Sequence, residues 1–121
     1  MDGIRLNNLV IVPSAIVARV DRQKINEYLL NREHPDNGGK AEFFIGLGFT
    51  SENWETLADA LRSLAVNSPV TQSMESTHGK KYIVDGRIET PIGKVPIVRT
   101  VWIIDRGETV PRLVTAYPHE E

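Results

Sequence analysis

The spacing of apolar residues changes period at Asn67-Ser68-Pro69, and this change limits what the chain can fold into more than any other feature. Before it, apolar residues recur at helical intervals. Asp21 reads as an N-cap, and a helix over about 22–31 places Ile25, Tyr28 and Leu29 on one face. Lys40 to Leu47 reads as a short helix with Phe43, Phe44 and Leu47 inward and Gly48 as its stop. A longer helix over about 51–66, capped by Thr50 or Ser51, carries Trp54, Leu57, Ala58, Leu61 and Leu64. Beyond Pro69 the period falls to two, with strands expected over 70–77, 81–90, 95–104 and 112–117 and a hairpin connection at Pro91-Ile92-Gly93-Lys94. Two to three helices followed by a three- to four-stranded antiparallel meander predict an α+β domain with the helices on the sheet. The 121 residues suit one domain. Residues 1–20 are expected to be an extended arm or edge strand, and 119–121 a tail.

Composition excludes several classes. There is no cysteine, so neither disulfides nor thiolate metal sites arise, and His34, His78 and His119 do not pair at i, i+4 spacing. No metal and no cofactor is expected. No apolar run is long enough to span a membrane and no signal peptide is evident, so the sequence predicts a cytoplasmic protein. The net charge of −2 argues against a general nucleic-acid coat. The charge is uneven, however. Residues 78–112 carry seven Lys/Arg against four Asp/Glu, so the basic excess lies in the β half.

Alternation then sorts the third strand. Val98, Thr100, Trp102 and Ile104 share one face, and Ile97, Arg99, Val101 and Ile103 the other. Both faces look apolar, so both are expected to be at least partly covered. Arg99 among aliphatic neighbours needs an anion. Its partner is either Asp85 or Glu89 on the neighbouring strand, or a phosphate in a cleft. Leu113, Thr115 and Tyr117 share a face of the last strand, where Thr115 and Tyr117 are either plain strand formers or hydroxyl donors to a substrate. His78, in a loop beside Lys80 and Lys81, is either surface or a proton-transfer group. His34, in a turn, and His119, in the acidic tail, look plainer. No nucleotide-binding glycine fingerprint, Walker motif or nucleophile elbow occurs.

Several strings carry a resemblance. Glu27-Tyr28-Leu29-Leu30-Asn31, His34-Pro35, Gly39-Lys40-Ala41, Phe43-Phe44 and Leu47-Gly48-Phe49-Thr50 are followed by His78-Gly79-Lys80-Lys81-Tyr82, Val84-Asp85-Gly86 and Pro91-Ile92-Gly93-Lys94. Val98-Arg99-Thr100-Val101-Trp102-Ile103 and Pro111-Arg112-Leu113-Val114-Thr115-Ala116-Tyr117-Pro118 complete the set. Over about residues 20–118 the chain resembles a bacterial family known only as a domain of unknown function, found alone and at the C-termini of polymorphic toxins. The helix-then-meander order is similar to the barnase–EndoU–colicin–RelE class of toxin ribonucleases.

That resemblance implies metal-independent cleavage of RNA, with tRNA as a candidate substrate, and a cognate inhibitor or immunity protein as partner. Such cleavage needs a base, an acid and cations around the phosphorane. The expected catalytic set is His78, Arg99, Thr115 and Tyr117, with Lys40, Lys80, Lys81 and Trp102 binding substrate. All must converge across one sheet face or its rim, and a one-residue slip in register would reverse every side chain. The alternatives are a non-catalytic protein-binding module and an inactive toxin relative that docks a small partner.

Overall fold

The structure is a computed structural model and describes residues 10–120. Its architecture is the expected α+β arrangement, three helical segments followed by a four-stranded antiparallel meander. The expected arm over residues 1–20 lies partly outside the described residues. Its described part, residues 10–20, packs against the domain. Val12, Ala15 and Ala18 are buried, residues Ala15–Val17 form a single 3₁₀ turn, and Arg19 pairs in parallel with Arg112 at the β4 edge.

Helix α1 (Arg22–Lys24) runs without a break into a π-helical turn, Ile25–Leu29. Asp21 stands at the N-cap position but its side chain bonds Arg19 rather than the helix. The π turn ends with its last carbonyls unpaired within the helix. Asn31 N–H donates to Tyr28 O at 3.2 Å, and Asn37, only 4% exposed, adds a side-chain donor: its Nδ2 reaches Tyr28 O at 2.6 Å and Leu29 O at 3.5 Å. The Asn37 Oδ1 accepts from Ala41 N at 2.8 Å, in the first turn of α2 (Lys40–Gly46). One buried amide therefore ties the end of one helix to the start of the next. Gly38 and Gly39 between them adopt φ of 64° and 89°, which a side chain would strain. Helix α3 (Trp54–Asn67) buries Leu57, Ala58, Leu61, Leu64 and Ala65. Its N-cap is Asn53; the expected cap Thr50 accepts from the Asn53 N–H just outside the helix.

The strands are β1 (Val70–Ser76), β2 (Gly79–Arg87), β3 (Ile97–Asp105) and β4 (Arg112–Pro118), adjacent in chain order. One face carries Tyr82, Val84, Val98, Thr100, Trp102, Leu113 and Ala116, all buried against the helices. The other carries Ile83, Asp85, Arg99, Val101, Thr115 and Tyr117, all only half-buried. The partial cover expected for this second face is present, but no helix supplies it. All the helices pack on one side, and aliphatic residues on the open side are shielded mainly by one another, with Ile103 the buried exception. In the tight turn between β1 and β2, Gly79 packs so closely on β3 that a Cβ would lie 2.3 Å from Ile104 O.

Trp102 is fully buried, and its indole Nε1 donates to Thr100 Oγ1 at 2.8 Å. Thr100 Oγ1 in turn donates to Val84 O at 2.8 Å. The Thr100→Val variant keeps the volume but strands the indole N–H in the core. It is expected to lower stability by about 1–3 kcal/mol, read from urea denaturation midpoints.

Candidate functional site

Register sets the centre of the open face. Arg99 lies opposite Asp85 on β2 and Tyr117 on β4. Val101 lies opposite Thr115. The backbone N–H of His119 donates to Ile97 O at 3.1 Å, continuing the β3–β4 pairing past Pro118. Side chains two residues apart on a strand share a face. His119 is therefore carried to the same side as Tyr117 and Arg99. Among the histidines, the one that sequence assigned to the tail is the one that meets the guanidinium.

Arg99 and Asp85 form a fork-to-fork pair, Nε to Oδ1 and Nη2 to Oδ2, both at 2.8 Å. Their side chains are 29% and 18% exposed, so the pair is partly shielded from solvent. The hydrogen bonds from Arg99 hold the Asp85 carboxyl below its usual range against the opposing effect of burial, with help from the Arg99 and His119 charges. The same bonds hold the Arg99 proton more firmly than usual, and Tyr117 adds to the effect. His119 Nε2 lies 3.5 Å from both Arg99 Nη2 and Asp85 Oδ2. A neutral ring there accepts from the guanidinium, and a protonated ring pairs with the carboxylate. The Asp85 fork uses Nε and Nη2, so the Nη1 edge of Arg99 is outside it.

The β4 rim adds hydroxyls and a cation. Thr115 Oγ1 lies 3.0 Å from the Tyr28 hydroxyl, which joins the π turn to the sheet edge. Lys40 Nζ donates to Asn37 O at 2.9 Å and sits 5.6 Å from the Tyr28 ring centre and 5.8 Å from that of Tyr117. Gly38, Gly39, Lys40, Tyr117 and Pro118 line a cleft of ≈ 350 Å³ at this edge. The structure therefore brings together Arg99, Thr115, Tyr117 and Lys40 of the residues expected from sequence.

The remaining expected residues lie elsewhere. His78 occupies the β1–β2 turn, where its N–H donates to Ser76 Oγ and its carbonyl accepts from Arg106 N. The neighbouring Gly79 pairs with Asp105, and Asp85 pairs with Arg99. Six strand positions separate these rows, about 20 Å at the rise of an extended chain. The expected meeting of His78 with Arg99 does not occur. Lys81 shares with His78 a cleft of ≈ 590 Å³ floored by Met74, Ile103 and Val114 and bordered by the Asp105–Arg112 ion pair. Lys80 points to the opposite face, its Nζ 5.4 Å from the Tyr82 ring. Trp102, expected to bind substrate, is a core residue at 0% exposure and offers no surface to a ligand. Sequence reading passed over Tyr28, His34 and His119. The signal for His119 was its position two residues beyond Tyr117, provided that the strand runs past Pro118. No trio of His, Asp or Glu side chains able to hold a metal occurs among the described residues, and no described helix is long and apolar enough to cross a membrane.

Fold and site together define an α+β helix-then-meander domain with a basic, tyrosine-rich rim at its last strand. The chain belongs to the family described as "Domain of unknown function (DUF6883)", whose model matches residues 12–120. No curated protein matches it by sequence. Among solved structures, it is similar to a chain of a contact-dependent growth inhibition toxin–immunity protein complex from Klebsiella pneumoniae 342. The TM-score is 0.69 at 16% identity, over 89% of this chain and 98% of that one, which establishes a shared fold.

The lowered carboxyl of Asp85 carries a stability prediction. It ionises at lower pH when folded than when unfolded, so its contribution is complete above the unfolded value of about 3.9 and is lost as pH falls through the lowered one. The Asp85→Asn variant is expected to be less stable than wild type at pH 7, by about 1–3 kcal/mol, and nearly equal to it at acid pH. Urea melts across that range check the convergence.

Proposed function

We propose that this chain is a metal-independent endoribonuclease of toxin type, with its site on the β4 rim and not at the His78 turn. The observation that carries the reading is the row His119–Arg99–Tyr117 on the open face, with Thr115 and Lys40 at its edge. A group that moves protons, a cation with one edge outside its ion pair and a phenol share one side of the β3–β4 edge. The fold shared with a chain of a toxin–immunity complex and the helix-then-meander order, which resembles that of toxin ribonucleases, support the same direction.

In this mechanism a neutral His119 takes the proton of a ribose 2′-hydroxyl as its oxygen attacks phosphorus. The bond from phosphorus to the 5′-oxygen breaks, leaving a 2′,3′-cyclic phosphate. The Tyr117 phenol donates its proton to the departing oxygen and regains one from His119 through water. Arg99, oriented by Asp85, and Lys40 balance the charge on the phosphorane. Arg99 suits this role because its flat guanidinium stays protonated and fixed in direction. Thr115 positions the rim through Tyr28. His119 thereby takes the part that sequence gave to His78.

The test is cleavage of tRNA and total RNA in EDTA. His119→Ala and Arg99→Ala are each expected to lose on the order of a hundredfold or more, while His78→Ala stays within about twofold of wild type. Intact RNA with wild-type protein, or equal loss for His78→Ala and His119→Ala, removes the assignment.

A second reading has its own support. The fork between Arg99 and Asp85 is complete without a ligand, and Met74, Val101 and Val114 leave apolar surface on the open face. On that reading the chain is a partner-binding module or inactive toxin relative, docking a cognate immunity-type protein. Growth after induced expression separates the two. Toxicity relieved by Arg99→Ala supports the enzyme, and harmless expression without an inhibitor supports the module.

A further inference from the structure

We infer that the line of cations and rings leading from Tyr117 to Lys24 is a track for unpaired RNA, so that the substrate class is single-stranded RNA or an unpaired loop. The inference rests on the ribonuclease reading and extends it beyond the scissile bond.

Tyr28 is the hub. Lys24 Nζ sits 5.1 Å from its ring centre and Lys40 Nζ 5.6 Å, while the His34 ring meets it edge-on at 5.0 Å. Thr115 anchors its hydroxyl. Lys40 also stands over Tyr117, which shares its register row with Arg99. Cations and rings therefore alternate from the phosphate site outward, and two clefts flank this line. One, of ≈ 350 Å³, lies between the Gly38–Gly39 backbone and Tyr117. The other, of ≈ 360 Å³, is bounded by Lys24, Tyr28 and His34.

Neither lysine forms an ion pair among the described residues. The carboxylates bordering the outer cleft are occupied: Asp21 is held by Arg19 at 2.9 Å, and Glu27 accepts from Gln23 at 3.2 Å. Two ammonium groups without carboxylate partners, set around one ring, offer phosphates a contact that the protein has not already filled. Rings between cations suit bases that are free to unstack, which paired bases in a duplex are not. The aliphatic cleft beside His78, by contrast, has no such alternation.

The experiment measures anisotropy of a labelled RNA of about ten nucleotides, single-stranded and as a duplex, at several salt concentrations. Alongside it runs cleavage of a dinucleoside monophosphate too short to reach Lys24. The single strand is expected to bind at least about tenfold more tightly than the duplex. Lys24→Ala is expected to weaken oligomer binding and to make the log K against log salt slope shallower by about 0.7. It leaves dinucleotide cleavage unchanged, Lys24→Arg restores the slope, and Lys80→Ala on the opposite face alters neither. Equal binding of duplex, or an unchanged slope in Lys24→Ala, overturns the track even if RNA is cleaved. A Lys24-dependent slope with no cleavage of any RNA leaves the track standing and removes the nuclease.

Discussion

A buried chain of two hydrogen bonds, from the Trp102 indole to Thr100 and from Thr100 to Val84 O, holds β3 in register against β2. Both donors are fully buried, so a slipped register leaves them unpaired. Because side chains alternate along a strand, fixing Thr100 and Trp102 inward fixes Arg99 outward. The open face exists because this inner pair is satisfied, and each contact of Arg99 with Asp85, Tyr117 and His119 follows from it.

On that face the Asp85–Arg99 fork has two physical consequences. It links β2 to β3 where no helix covers them, which accounts for an ion pair standing among half-buried aliphatic residues. It also fixes the plane of the guanidinium. Two of its nitrogens face the carboxylate, and the remaining edge is directed by the strand and not by a flexible side chain. A cation already oriented loses less freedom on meeting a phosphate than a mobile lysine would. The ring of His119 lies between these opposite charges, so its protonation decides which of them it engages.

The β4 rim depends on a second, local device. Asn37 binds the last carbonyls of the π turn and the first amides of α2, and so sets Tyr28 and Lys40 relative to each other. The π turn supports this placement. Its wider winding shifts the residues after Lys24 relative to a regular helix, and Tyr28 reaches the sheet edge while Ile25 and Leu29 remain in the core. Loop, π turn and edge strand thus form one unit, although they come from opposite ends of the chain.

The sequence by itself determined the order and kind of elements, since a change of apolar period at Pro69 is a local property of neighbouring residues. It also determined the Arg99–Asp85 alternative, because an arginine in an aliphatic strand must find an anion and the next strand offered one. Strand alternation brought Thr115 and Tyr117 to one face but put Leu113 with them, and the register shift between Val101 and Trp102 turns Leu113 into the core instead. What it left undecided was distance between strands. His78 looked apt from its neighbours in the chain, yet strand length puts it at the far end of the sheet; His119 looked like tail, yet one backbone bond to Ile97 returns it to Arg99. Likewise, Trp102 and Arg99 are near in sequence and opposite in space. Only tertiary structure decided these points, because pairing register and the side chosen by the helices depend on contacts between residues far apart in the chain, which no local pattern encodes.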